Sequence, residues 1–571
     1  MYARYVFSSA RATLGAALLV GLSSAAHATP RTAAVQIDDG AFALGGALVL
    51  PSPDFAKLEL EDSKVSGGPY RYGIQIPVAD LHLGSKDFGR WSAAANSMLE
   101  WRFELVSPAA KSLDFHFSTL RLPAGASLTI RGEGKDNLRV VTADQLSGTG
   151  FWSPYVAGER ATLELRVPKA LRSQVQLEVA SVTHGYRGLF ETADAGQKSG
   201  SCNVDVACSA GNGWQDQMSS VGQYTFGSGG SSFVCTGTLM ANTGVTTTPY
   251  FLTANHCMST QAVASTVVLY WNYQGANCRA AGSSASGTSL AKSIASHSQS
   301  GSTLRASSAA SDFTLLQLST NVPTAASPFF SGWNRGTTAA SSARGIHHPA
   351  GHEKRFSTDN NALTVSGYGG AAGSTHWRVG NWEGGTTEGG SSGSGLWDQS
   401  KLLVGQLHGG SAACGNTLSD YYGRLSVSWT GGGTNATRLS NWLDPSGSGA
   451  TTRAGYRLAG FFQTNTDVTI SDNLTVESSL AVSGRSGNAP TTLRVNVRLM
   501  HTYVGDMKVD LVAPNGSVFT VHNRTGAGAD NLYQSYTVNA SASIANGTWR
   551  LRVNDNASGD TGFIDAWSLQ F

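Results

Sequence analysis

At 571 residues the chain is too long for one hydrophobic core, so about two to four domains are expected. A net charge of +2 with no polybasic run leaves no electrostatic footprint for nucleic acid. Only 14% of residues are charged and 68 are glycine, a balance that points to turns and β structure rather than exposed helix.

Residues 1–28 read as a signal peptide. Arg4 and Arg11 give the positive end, Leu14 to Leu22 is apolar, and Ala26-His27-Ala28 offers small residues for cleavage. The apolar run is too short to span a bilayer comfortably, and no later segment is long enough. A secreted, extracellular protein without a transmembrane anchor is expected. Residues 29–198 form a cysteine-free, β-rich segment: SLTIRG at 127–132 and ATLELRVP at 161–168 alternate apolar and polar side chains.

All six cysteines, Cys202, Cys208, Cys235, Cys257, Cys278 and Cys414, fall in the next segment, 199–447. An even number in an exported chain predicts three disulfides, whose pairing spacing alone leaves open. No C-x-x-C pair supports zinc. This segment also carries FLTANHC, SDFTLLQL and EGGSSGSGLWD, which supply His256, Asp312 and Ser392 in that order. Serine needs a base within reach. Histidine can take and return its proton near pH 7, and a carboxylate fixes the tautomer of the imidazole. Ser391 and Ser394 are alternative nucleophiles, but Ser392 is framed as G-x-S-G. The backbone N–H groups of Gly390 and Ser392 would face one small space and form an oxyanion hole. His347, His348, His352 and Glu353 invite a metal reading; Pro349 and Gly351 oppose the helix that H-x-x-x-H would need, so no metal is expected there.

Residues 199–447 resemble bacterial lysyl endopeptidases, a secreted branch of the chymotrypsin-like serine proteases. SGSCNVDVAC, CTGTL, YFLTANHC, YWNYQ, SDFTLLQL, IHHP, SSGSG, GQLHGG, SDYYGR and RLSNWLDP carry the resemblance. It implies an all-β, double β-barrel protease and disulfides Cys202–Cys414, Cys208–Cys278 and Cys235–Cys257. It also implies that Asp420 sits at the base of the pocket for the substrate side chain before the cut. A carboxylate in a narrow pocket independently favours an ammonium or guanidinium. His408 matches a histidine that lies against a tryptophan ring in the family; here Tyr368 stands in that place. Where most chymotrypsin-like enzymes have aspartate before the serine, this chain has Ser391. Residues 29–198 then take the place of a propeptide, with FWSPYVAGERATLEL as the resembling stretch. The junction Gln197-Lys198-Ser199 suits self-cleavage after Lys198.

PSGSGATTRAG at 445–455 reads as a linker, assigned to 448–459. Residues 460–571 resemble the P domain of proprotein convertases through HTYVGDMKVDLVAPNGS, VHNRTG and NGTWRLRVNDNASGDTGFIDAWSLQF, which implies a jelly-roll-like β-sandwich. Asp555, Asp560 and Asp565 offer oxygen ligands for a structural calcium, although turn aspartates are the plainer reading. The expected activity is hydrolysis of protein and peptide substrates after lysine, by a monomer needing no cofactor for the chemistry. Cleavage after both lysine and arginine, or a silent adhesion role, are the rival readings. No lysine lies between Lys401 and Lys508, so Arg453 and Arg457 are the basic residues in the linker.

Overall fold

The computed structural model describes residues 47–571 apart from 65–67, 85–88, 135–136, 149, 190–198, 244–247, 280–296, 446, 458–460 and 465. The expected signal peptide and Lys198 lie outside the described residues. No helix among the described residues is long and apolar enough to cross a membrane.

Alternating side chains build the N-terminal module. In the strand Arg160–Pro168, Leu163, Leu165 and Val167 are buried while Glu164 and Arg166 face outward. It pairs antiparallel with Met98–Val106 on one side and Ser127–Arg131 on the other. A second sheet, with Tyr70–His82, Gln176–Gly185 and Ser112–Arg121, packs its apolar face into the same core. That second sheet does not end with the module. Tyr70–Ile74 pairs antiparallel with Ser231–Val234, the first half of the strand Ser231–Leu239, so N-terminal and central segments share one 12-stranded sheet.

The central segment is a double β-barrel. The first barrel is built from Val221–Ser228, Ser231–Leu239, Tyr250–Ala254, Val268–Trp271, Ser302–Ser308 and Phe313–Leu318. The second contains Ala343–His347, Arg355–Asp359, His376–Val379, Gly395–Asp398, Leu403–Gly410 and Asp420–Arg424. Their strands carry near-continuous burial, as expected where one face fills a barrel and the other meets a neighbour. Disulfides join Cys202 to Cys414, Cys208 to Cys278 and Cys235 to Cys257. Cys202–Cys414 closes a separation of 212 residues and holds the start of the segment against the second barrel.

The stretch after residue 445 is fastened down despite its small-residue composition. Thr452–Arg453 pairs with Trp333–Asn334, and the Arg335 guanidinium donates to the carbonyls of Ala450 and Gly449 at 2.7 and 2.8 Å. Arg457 reaches Asp216 at 2.8 Å. Composition alone reads this stretch as loose because glycine and serine carry no signal for backbone pairing with a distant strand.

The C-terminal module is a sandwich of two antiparallel sheets, one around Leu493–His501 and Gly562–Gln570, the other around Gly547–Asp555 and Met507–Val512. Trp549, Trp567, Leu511 and Val497 fill the space between them.

Candidate active site

The first barrel contributes the histidine and the aspartate. His256 follows the strand Tyr250–Ala254 directly, and Asp312 precedes its partner strand Phe313–Leu318. Antiparallel pairing of these two strands, Ala254 opposite Phe313, therefore brings both side chains to one barrel end. The Asn255 N–H donates to the Asp312 carbonyl at 2.9 Å, the His256 N–H to Asp312 Oδ1 at 2.9 Å, and His256 Nδ1 lies 2.7 Å from Asp312 Oδ2. Asp312 adopts φ +55°, a left-handed conformation that aspartate tolerates better than most residues. Gln406 from the second barrel donates to the Ser311 carbonyl at 2.7 Å, which ties this corner across the two barrels.

The second barrel contributes Ser392, in the turn before Gly395–Asp398. The Thr236 N–H donates to the Ser392 carbonyl and Thr236 Oγ1 to the Gly390 carbonyl, at 2.9 and 2.8 Å, so the turn is pinned to the first barrel. No hydrogen bond joins Ser392 to His256 among the described residues. Such bonds are commonly long until substrate seats. The backbone N–H groups divide into two sets. Those of Ser391, Gly393 and Ser394 donate to the carbonyls of Glu388, Leu407 and Ser391. Those of Gly390 and Ser392 donate to no acceptor among the described residues. Two undirected donors on one turn are what an oxyanion would need.

Gly393 sets the turn against the histidine strand. It has φ +82°, and a Cβ there would collide with Thr253 Oγ1 and stand 2.7 Å from the Ala254 nitrogen. Gly393→Ala is expected to lower labelling by a fluorophosphonate probe at least tenfold, because the turn must shift off the first barrel. Labelling kinetics beside a thermal melt measure this; unchanged labelling would show that the turn is not held by this contact.

Asp420 opens the strand Asp420–Arg424 and is 1% exposed. Its Oδ2 accepts from Trp382 Nε1 at 2.7 Å and Thr387 Oγ1 at 2.8 Å. Its Oδ1 is buried and accepts from no side chain among the described residues, which suits a cationic side chain entering from outside. Burial pushes the carboxyl above its usual range, against the bonds from Trp382, Thr387 and the Ala412 backbone.

Around His256 the structure adds a group of rings. His408 stacks on His256 at 5.5 Å and on Tyr368 at 3.6 Å between centroids. His376, which the sequence reading passed over, lies 3.0 Å from His408 Nδ1 through its Nε2. Its placement depends on His376–Val379 and Leu403–Gly410 pairing on either side of Asp420–Arg424, for which the sequence carries no local signal. His256, Asp312 and His408 form the one group of three metal-ligating side chains among the described residues. The short His256–Asp312 contact already engages the carboxylate oxygen, as a base and its orienting acid do.

The other histidines hold the scaffold. His347 contacts Ser391 Oγ and Ser357 Oγ at 2.8 and 2.9 Å, and burial drives its pKa down to about 3. His348 Nδ1 contacts the His352 carbonyl, His352 Nδ1 accepts from Ser199 N, and Glu353 pairs with Arg355. These four side chains point to separate partners. Glu388, also missed from sequence, accepts from the Gly200 N–H and Asn203 Nδ2, both at 2.7 Å, while its own N–H donates to Ser391 Oγ. It thereby links the start of the central segment to the serine turn. In the C-terminal module Asp555 meets His501 at 3.2 Å, Asp560 accepts from Thr502, and Asp565 pairs with Arg498 at 2.9 Å. Each of the three aspartates considered for calcium has a protein partner of its own.

Comparison with known proteins gives three matches along the chain. The profile for the lysyl endopeptidase N-terminal domain matches residues 49–186, that for the lysyl endopeptidase C-terminal domain matches 196–423, and that for the proprotein convertase P-domain matches 490–571. A lysyl endopeptidase of Pseudomonas aeruginosa is 32% identical over 383 residues, which are 63% of this chain and 80% of that protein. Leupeptin-inactivating enzyme 1 of Streptomyces exfoliatus is 52% identical over 112 residues, and the chain spans only 26% of its length. A solved Glu endopeptidase aligns with 40% of this chain and 91% of its own at 19% identity, with a TM-score of 0.25.

Proposed function

The chain belongs to the lysyl endopeptidase family of serine endopeptidases, and from that premise we propose that it is secreted and cleaves peptide bonds after lysine. Ser392 Oγ attacks the carbonyl carbon while His256 Nε2 takes its proton. Asp312 holds Nδ1–H and stabilises the imidazolium. The N–H groups of Gly390 and Ser392 receive the oxyanion. His256 then returns the proton to the departing amine, and water repeats the sequence on the acyl-enzyme. Nothing in these steps calls for a metal or cofactor.

One observation carries the substrate choice: the buried Asp420 Oδ1, to which no side chain among the described residues donates. A lysine ammonium is a compact charge that can reach a single oxygen. A guanidinium is wider and binds best when both carboxylate oxygens are free for a two-point contact. Here Oδ2 is already taken by Trp382 and Thr387. The geometry therefore favours lysine over arginine. Residues 29–198 act as a propeptide, removed by cleavage after Lys198.

The test is to digest an unrelated denatured protein with the mature enzyme and map every cut by mass spectrometry. Cuts after lysine, with those after arginine at least a hundredfold slower, are the expected result. Comparable rates after both would replace the lysine reading with a trypsin-like one.

A further inference from the structure

Two neutral imidazoles joined by one hydrogen bond share a single proton between the facing nitrogens, so one donates and the other must be bare. The pair His376 Nε2 and His408 Nδ1, 3.0 Å apart, is such a case. Burial holds both rings towards the neutral form. His376 is 2% exposed and its pKa falls to about 4, from burial first and then His408, against the pull of Asp312. His408 is lowered by burial and by His256, with Asp312 opposing.

The direction of the shared proton is fixed at the far end of His408. Its Nε2 faces Asp312 Oδ2 at 3.8 Å, and an ionised carboxylate has no proton to offer. The favourable tautomer of His408 therefore carries hydrogen on Nε2 and leaves Nδ1 bare. His376 must then donate from Nε2. Its own Nδ1 is left as an acceptor, and Thr375 Oγ1 lies 2.7 Å from it. The polar order runs from the Thr375 hydroxyl through His376 and His408 to Asp312. Tyr368 closes the outer face of His408, with Tyr421 edge-on to it at 6.0 Å. The titratable groups around His408 are thus Asp312, His256, His376 and Tyr368, with Asp420 and Tyr421 beyond the tyrosine ring.

We infer that His376 is a positioning residue for the reaction: its Nε2–H locks His408 in the tautomer that turns an N–H towards Asp312. The carboxylate is then oriented from two sides, by His256 Nδ1 and by His408 Nε2. The same lock keeps His408 from gaining a second proton at Nδ1. A cation there would stand beside Asp312 and stack on His256. It would compete for the carboxylate and weaken the base.

The test compares His376→Leu with His376→Gln in the full chain, after maturation, with active sites counted by fluorophosphonate titration. Glutamine carries an N–H that can donate to His408 Nδ1 and does not titrate; leucine carries none. Per active site, the leucine variant is expected to lose about three- to tenfold in kcat for a lysyl ester at pH 8, with KM within twofold. Its activity relative to the parent should fall further as the pH is lowered, as His408 takes up its second proton. The glutamine variant should recover most of kcat and the parental acid limb. Equal losses in both variants, or a leucine variant whose pH profile keeps the parental shape, would overturn the inference. It rests on reading His256 and Asp312 as the base and its orienting acid. A failure of that reading is distinguishable, because His256→Ala would then retain ester hydrolysis whatever stands at position 376.

Discussion

Replacing Ser392 by alanine is expected to abolish hydrolysis of lysyl esters and peptides, with a loss on the order of 10⁵- to 10⁶-fold in kcat. The size follows from removing the attacking atom while leaving the two free N–H groups of the turn in place. Those groups and the binding pocket sustain only a residual acceleration over water. The serine side chain makes no hydrogen bond to His256 among the described residues, and its backbone bond to Thr236 does not depend on the hydroxyl. The variant should therefore fold and melt within a degree or two of the parent. Expressed without other proteases, it should also accumulate as precursor, uncut after Lys198. A variant that still matures or still turns over ester would transfer the nucleophile's role to Ser391 or Ser394. Ser391 Oγ is already engaged with His347 Nδ1 at 2.8 Å and with the Glu388 N–H at 3.1 Å.

Asp420→Asn is expected to cost about 10²- to 10³-fold in kcat/KM for lysyl substrates, the effect of leaving a buried ammonium without its counter-charge. Labelling by a small fluorophosphonate, which does not fill the pocket, should change less than threefold. Stability gives a second arm. Burial raises the Asp420 pKa in the folded protein, so the folded state holds its proton more tightly than the unfolded chain does. For a raised carboxyl the penalty is absent below the unfolded pKa and fully present above the folded one. At pH 7 asparagine removes that penalty, and its amide can keep one acceptor oxygen for Trp382 and Thr387. The variant should melt no lower than the parent. A lowered melting temperature with equal losses towards both probes would make Asp420 a structural residue.

The groups proposed to react stand out in the sequence because each lies in a short stretch with its own local logic. His256 and Asp312 flank strands whose apolar runs are readable, Tyr250–Ala254 and Phe313–Leu318, and Ser392 stands among glycines whose positive φ the turn requires. The alternating strands at 127–131 and 160–168 are visible for the same reason. Glu388 and His376 were not legible. Glu388 matters because Gly200 and Asn203 come to it from 188 and 185 residues away, and His376 because its strand and that of His408 pair on either side of Asp420–Arg424. Nothing local marks either residue. The buried group Asp205, Arg279, Glu353 and Arg355 is likewise assembled from distant segments, with Asp205 pairing to both arginines. The stretch after residue 445 shows the converse. Its local signal was clear, and long-range pairing with Trp333–Asn334 overrode it.

The pairing of Tyr70–Ile74 with Ser231–Val234 has a kinetic side. While the chain is whole, the two strands are covalently joined, and the N-terminal module meets its partner as an intramolecular event, at an effective concentration of about millimolar. One cut near residue 198 turns that encounter into a bimolecular one. The released module then leaves or stays according to bulk dilution: crowded at the point of release, the two pieces remain associated, and after dispersal they part. Under the proposed cleavage after Lys198, the delay between the cut and separation of the two pieces would be set by volume as much as by chemistry.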